Sequence, residues 1–326
     1  MATATPLHVV TGKGGTGKTT VAAALATALA DSGKRVLLCE VEGRQGIAQL
    51  FDVAPLPYEE RKIAVGLGGG EVYALAIDPE AALLEYLQMY YRLGRAGKAL
   101  DRFGIIDFAT TIAPGVRDVL LTGKVYEAAR RSASSKASGI VYDAVIMDAP
   151  PTGRIARFLN VNEEVAGLAR VGPVRRQASS IMEMMRSSTT QVHLVTVLEE
   201  MPVQETLDGI AELRATQLPV GNVVVNLVQP KLIGDDTRDA LTSGSLGAKQ
   251  VGSALSKAGL VPDAAPALLE QGQAHLERQA LQDAQRTVLE KADRPVVELP
   301  TLSEAIDQGA LFELAGLLRE GLVEPS

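Results

Sequence analysis

The stretch Gly12-Lys-Gly-Gly-Thr-Gly-Lys-Thr-Thr20 joins a glycine-rich backbone to a lysine and a hydroxyl, the groups that grip a polyphosphate. It fits the pattern G-x-x-x-x-G-K-[ST]. Backbone N–H groups from Gly14, Gly15, Thr16 and Gly17, and from Lys18, Thr19 and Thr20 at a helix start, would point at the anion. The positive end of the helix dipole favours the same charge. Lys18 would reach the β- and γ-phosphates, and the Thr19 hydroxyl would bind Mg²⁺. Asp148 ends the apolar run Ile140–Met147, and a carboxylate there can hold Mg²⁺ through its water shell. Glu42 follows another such run, Arg35–Glu40, and is the candidate for orienting an attacking water. Phosphoryl transfer asks a protein mainly for positioning and charge stabilisation, so a carboxylate suffices for that task.

Such a loop needs a strand before it and a helix after it. Leu7–Thr11 is short and β-branched and reads as a buried strand, while Val21–Ala30 reads as a helix stopping near Ser32-Gly33. Further strands are expected at Arg35–Glu40, Glu71–Ile77, Ile140–Met147, Gln191–Leu198, Gly221–Val225 and Val296–Leu299. In an open α/β sheet, ligands collect at the carboxyl ends of the strands. The loop Val41–Gly46 should therefore face the γ-phosphate, and Asn226, ending its strand, can hydrogen-bond a nucleobase. The same glycines also satisfy G-x-G-x-x-G through Gly12, Gly14 and Gly17, with Glu40 or Glu42 near the spacing of a ribose-binding acid. Lys18-Thr19-Thr20 argues against that dinucleotide reading, because a dinucleotide fold packs small or apolar side chains there. Asp148 at a later strand end argues the same way.

The expected fold is α/β: a P-loop NTPase with a mostly parallel central sheet, helices on both faces and an added helical subdomain. Residues 1–326 form one domain in this reading, with the subdomain made by about 79–138 and 160–188. From Pro79 to Ser138 apolar residues recur at helical spacing, among them Leu83, Leu84, Leu87, Tyr90, Tyr91 and Leu93. Loop signals fall at Gly94, Gly97, Gly104 and Pro114-Gly115. Expanded crossovers often carry partner recognition. Met182, Met184 and Met185 sit close together on a second helical stretch. Methionines there either grip an apolar client or fill the core, and both readings stay open. Residues 232–293 read as mostly helical without a chemical motif, and Glu304–Leu322 as a closing helix.

Composition sets the outer bounds. The chain has 326 residues, 46% hydrophobic and 22% charged, an ordinary globular balance. Thirty-two basic against thirty-nine acidic side chains leave a net charge of −7, which argues against a broad nucleic-acid footprint. Cys39 is the single cysteine, so neither a disulfide framework nor a cysteine zinc site is expected. No signal-peptide pattern or bilayer-length apolar run is expected to place the chain in a membrane, and the working expectation is a soluble, cytoplasmic protein.

Together these motifs resemble the arsenical-pump and guided-entry (tail-anchored protein targeting) ATPases, within the deviant-Walker branch of P-loop enzymes. Lys13-Gly-Gly-Thr-Gly-Lys-Thr-Thr20 matches the family's phosphate loop, and Asp148-Ala-Pro-Pro-Thr-Gly153 its second switch. Pro114-Gly-Val-Arg-Asp118 is similar to a P-G-x-x-E stretch, and Leu198-Glu-Glu-Met-Pro-Val-Gln-Glu-Thr206 to another family segment. The resemblance implies binding and hydrolysis of ATP to ADP with Mg²⁺, and the departures at Glu42 and Gly43 imply that hydrolysis is slow. It implies that Lys13 crosses to the nucleotide of a facing subunit, itself or a paralogue, in a face-to-face dimer. Asn226, Pro300 and Thr301 fall where the family reads adenine, and the helical subdomain where an apolar protein client would dock. Departures are also present. The first switch reads Glu40-Val-Glu-Gly-Arg-Gln45, so Glu42 stands for a water-activating aspartate and Gly43 for a proline. Arg154 replaces a histidine, and the C-x-x-C zinc clasp is missing. A nucleotide-gated regulatory or assembly subunit with little turnover is therefore an alternative, and a partition-type positioning ATPase a weaker one.

Overall fold

The computed structural model describes residues 5–91, 114–131, 139–168, 173–302 and 307–323. Eight strands form one sheet in the order β3-β4-β2-β5-β1-β6-β7-β8. They are β1 Leu7–Gly12, β2 Arg35–Glu40, β3 Arg61–Val65, β4 Glu71–Ala76, β5 Ala144–Asp148, β6 Thr190–Thr196, β7 Val220–Val228 and β8 Val296–Pro300. Every pairing is parallel except that of β3 with β4. Parallel strands covered on both faces read as nearly continuous apolar runs, which is why these strands were legible. β3 was not expected. It is a sheet edge carrying Arg61 and Lys62 with little buried surface, and charged edges of this kind discourage pairing with another chain.

Alternate residues of each strand feed two cores. Leu7, Val9, Leu37 and Cys39 belong to one, and Val10, Val36 and Leu38 to the other. Successive side chains of a strand point to opposite faces, so the two cores flank the sheet. On the second face lie α1 (Lys18–Asp31) and α11 (Gln308–Leu318), packed through Val21, Leu25, Leu311 and Leu314. On the first lie α4 (Pro114–Ala129), α5 (Thr152–Leu168), α6 (Pro173–Met185) and α7 (Glu200–Ala215). Two helices of the earlier crossovers, α2 (Gly46–Leu50) and α3 (Pro79–Tyr91), complete this part of the chain. Residues 232–293 are largely helical as expected, through α8 (Asp235–Thr242), α9 (Ala248–Lys257) and α10 (Ala265–Leu289).

Three readings are refined. The strand expected from Ile140 begins at Ala144. Asp143 just before it accepts the Arg35 backbone N–H at 2.8 Å, and Tyr142 packs into the core. Pro114-Gly115 opens α4 instead of making a loop, a position where proline's missing N–H costs nothing. On α6, Met182 and Met185 are buried and Met184 packs against the same core, so the methionines fill the interior. Parts of the expected helical subdomain, 92–113, 132–138 and 169–172, lie outside the described residues. α3, α4, α5 and α6 supply the described remainder, α4 and α5 joined by a buried bond from Asn162 Nδ2 to Thr122 Oγ1 at 2.9 Å.

Candidate active site

The carboxyl ends of β1, β2, β5, β6 and β7 converge on the glycine loop. A Cβ at Gly12 would stand 2.2 Å from the Val195 carbonyl oxygen on β6, so the loop can leave the sheet here only as glycine. It then folds on itself: the Lys13 carbonyl accepts the Thr16 N–H at 3.3 Å and the Thr16 hydroxyl at 2.8 Å. Gly15 and Gly17 hold φ of 88° and 85°, in the left-handed region that costs glycine little. Around Gly14 and Gly15 no atom lies within 4 Å of an added Cβ, which leaves their backbone open on one side. No side chain caps the N-terminus of α1. Its first N–H groups are therefore left for a ligand or solvent.

Asn226 is expected at the base, and the structure also gives it another task. Its Nδ2 donates to the Thr16 carbonyl at 3.0 Å, tying β7 to the loop, and lies 2.3 Å from where a Gly17 Cβ would be. Beside it, Pro300 pairs with Val228, and the Thr301 N–H donates to the Val228 carbonyl at 2.8 Å. Asn226 is thus in the last third of β7, which runs on to Val228 and does not end at Asn226 as expected, while Pro300 ends the neighbouring β8 and Thr301 follows it.

Lys18 is buried and forms no ion pair among the described residues. The Thr19 hydroxyl donates to Asp148 Oδ2 at 2.7 Å, while the buried Asp148 Oδ1 has no partner among the described residues. Burial pushes the Asp148 carboxyl up to about 6, opposed by the Thr19 bond and Lys18, while Glu40 and Glu42 push it further up. Glu42 therefore lies within electrostatic range of Asp148. Its own side chain is 22% exposed, and it meets Arg44 at 3.8 Å.

Reading the sequence missed the part played by Glu40, which it considered only as a ribose ligand. Glu40 is buried and accepts the backbone N–H groups of Gln45 and Ile47, so it shapes the loop that carries Glu42. The available signal was a carboxylate closing an apolar strand, since a buried charge persists only when bonded. Gln45 holds φ 57° and clasps Leu56 by two bonds, at 2.7 and 3.2 Å. Gly46 brings this loop against Thr19, where an added Cβ would be 3.1 Å from Cγ2. The second loop is fixed by Thr11 Oγ1, which donates to the Pro150 carbonyl at 2.7 Å. Lys13 departs from the cluster: its Nζ meets Glu205 on α7 at 2.8 Å.

These features fit a polyphosphate with a cation. A lysine that is mostly buried and forms no ion pair among the described residues asks for an anion, and an orphaned carboxylate oxygen beside a hydroxyl asks for a metal or its water. Among the described residues no three His, Cys, Asp or Glu side chains cluster to hold a metal. Mg²⁺ does not need such a cage, because it usually keeps several waters and binds one or two carboxylates plus phosphate.

A sequence model described as anion-transporting ATPase matches residues 6–191, which contain the glycine loop, Glu42 and Asp148. ATPase BagA of Mycobacterium tuberculosis is 52% identical over 316 residues, covering 96% of this chain and 92% of the relative. The chain belongs to the anion-transporting ATPase family. ATPase get3 of Schizosaccharomyces japonicus is 27% identical over 262 residues, covering 70% of this chain and 75% of the relative. The arsenical pump-driving ATPase of Escherichia coli is 28% identical, covering 69% of this chain and 40% of that longer protein. Membership in this ATPase family explains the combination of a phosphate loop with a mostly parallel sheet. This chain is an ATPase. Asn226, Pro300 and Thr301 lie beyond the family match, within the reach of the mycobacterial alignment. None of the described helices is long and apolar enough to cross a membrane.

Proposed function

We propose that the chain is a Mg²⁺-dependent ATPase that works as a face-to-face dimer and couples its nucleotide state to opening and closing a groove for a partner or client. The observation that carries the nucleotide half is the Thr19–Asp148 bond of 2.7 Å with its orphaned second oxygen, set beside the open glycine backbone. In this reading the loop residues Gly14 to Thr20 hold the phosphates, with Lys18 as the main cation. Thr19 and Asp148 hold Mg²⁺, whose charge would stabilise the phosphoryl oxygens. Asn226, Pro300 and Thr301 receive the base, and Glu42 orients water. Lys13 serves the facing subunit's nucleotide. Reaching it requires a second copy or a paralogue, since on its own chain Lys13 turns to α7.

The helical elements α4, α5 and α6 are the proposed carriers of the nucleotide signal. Arg154, at the start of α5 just after the second loop, meets Asp118 of α4 at 3.5 Å. A shift of that loop would therefore be felt in the helical region. A second reading, a gated subunit with little turnover, is favoured by one observation: Gly43, with φ 67°, leaves the Glu42 loop without the stiffness a proline would give. The test is calorimetric titration with Mg·ATP, followed by turnover. Wild type should bind, Lys18→Ala should not, and Lys13→Ala should bind as wild type does yet fail to turn over. Binding of NADH in place of ATP, or full turnover by Lys13→Ala, would overturn the reading.

A further inference from the structure

One face of α7 touches both the phosphate loop and the second loop of the site. Glu205 and Gly209 are four residues apart on this helix, so they lie on the same side, one turn from each other. Glu205 holds Lys13 of the phosphate loop at 2.8 Å. Gly209 receives Thr152 of the second loop so closely that an added Cβ would be 2.3 Å from Thr152 Cγ2. The Thr152 hydroxyl is buried and has no partner among the described residues, a state that costs free energy until something satisfies it. The same loop is tied to β1 by the Thr11–Pro150 bond, and Asp148 at its head keeps an orphaned oxygen. A ligand that satisfies these atoms would shift the loop against the helix that restrains Lys13.

We infer that Glu205 is a positioning residue that parks Lys13 on its own chain in the single subunit, and that α7 releases it when the second loop moves. This rests on the proposed role of Lys13 toward a facing subunit. Both partners are about one-third exposed, 32% for Lys13 and 38% for Glu205. Such a pair biases the lysine by about 1.4- to 5-fold. That strength suits a latch: it keeps Lys13 out of the way, and it is weak enough to be broken by phosphate contacts across an interface. Lys13 cannot simply move its backbone to escape, because its carbonyl is bonded twice to Thr16. Only the side chain swings, so the choice of its anion partner sets its position.

The experiment measures specific ATPase activity against protein concentration for wild type, Glu205→Gln, Glu205→Asp and Lys13→Ala, with thermal melts to verify folding. Glu205→Ser, which removes both charge and reach, serves as the second variant if Glu205→Gln melts early. With the latch released, Glu205→Gln reaches half-maximal specific activity at about 1.4- to 5-fold lower protein concentration, with its plateau unchanged within twofold. Glu205→Asp keeps the charge and stays near wild type. An unshifted or upward-shifted midpoint for Glu205→Gln, with Lys13→Ala inactive, overturns the latch and leaves the role of Lys13 standing. Full activity in Lys13→Ala, or wild-type turnover independent of concentration, overturns the reading on which the latch rests.

Discussion

Replacing Asp148 by Asn should make the ligand-free protein more stable while destroying its Mg²⁺-dependent function. The buried carboxyl is pushed from its ordinary 3.8 to about 6, with burial the largest cause and Thr19 and Lys18 only partly offsetting it. At 1.36 kcal/mol for each pKa unit, holding it ionised at neutral pH costs about 3 kcal/mol. A carboxyl whose folded pKa is raised contributes stability below the unfolded value and loses it as pH rises through the folded one. The cost therefore appears between about pH 4 and 6 and is constant above that. Asn keeps the shape and can still accept the Thr19 hydroxyl without carrying the charge. In chelator-containing buffer, urea unfolding at pH 7.5 should show Asp148→Asn more stable than wild type by about 1–3 kcal/mol, the lower end allowing for an unsatisfied amide. The gap should close near pH 4. In the same preparations, Mg²⁺ should no longer strengthen ATP binding to the variant. A variant less stable than wild type at pH 7.5 would refute the reasoning, because it would mean Lys18 and Thr19 outweigh burial and the carboxylate is a structural asset.

Other consequences follow from the same geometry. Gly12→Ala places a Cβ 2.2 Å from the Val195 carbonyl oxygen and should cost about 1–3 kcal/mol in urea unfolding along with most ATP affinity. Wild-type affinity in that variant would mean the loop tolerates a different exit from β1. Glu42→Gln keeps the size and loses the charge, so single-turnover hydrolysis should fall by about 10²–10⁴ with ATP affinity nearly unchanged. Equal rates would favour the gated-subunit reading. His8 and His193 stack with ring centroids 5.4 Å apart and share an N···N contact of 3.1 Å. His193 Nδ1 also accepts the Asn222 N–H at 3.2 Å, which sets it as the donor to His8. Burial, reinforced by Lys34 at His8 and by His8 at His193, lowers the two to about 4 and about 3. Their stabilisation is whole above about pH 6.5 and is lost as pH falls from there through about 4 and about 3. His8→Gln should flatten the loss between pH 6.5 and 4 by about 3 kcal/mol in the same unfolding assay.

Much of the fold was legible because both faces of the sheet are covered, which turns each inner strand into a plain apolar run. β3 escaped notice because an edge strand gains little from burial and carries Arg61 and Lys62 instead. The phosphate loop and Asp148 were readable from types and spacing alone, since glycine, lysine, hydroxyl and strand-end carboxylate leave few other uses. Glu40 and Glu205 were not. Their roles depend on which backbone N–H groups or lysine they face, 5 to 192 positions away in sequence for the bonds in question. Asn226 is only half legible: its place late in a strand is clear, although β7 runs on to Val228, while its bond to the Thr16 carbonyl is a contact across β7 and the loop that no local pattern encodes. The methionines of α6 carried the opposite ambiguity, and the packing of Met182 and Met185 resolves it toward the core.

The most direct test of the central claim mixes two inactive proteins. Lys13→Ala subunits keep their nucleotide site but lack the crossing lysine, and Lys18→Ala subunits keep that lysine but lack the site. If Lys13 acts on the facing subunit, an equimolar mixture forms dimers in which one intact site meets one intact Lys13. Random pairing then restores about a quarter of wild-type ATP turnover. A mixture as inactive as its components, or a Lys13→Ala protein already active alone, would contradict the account.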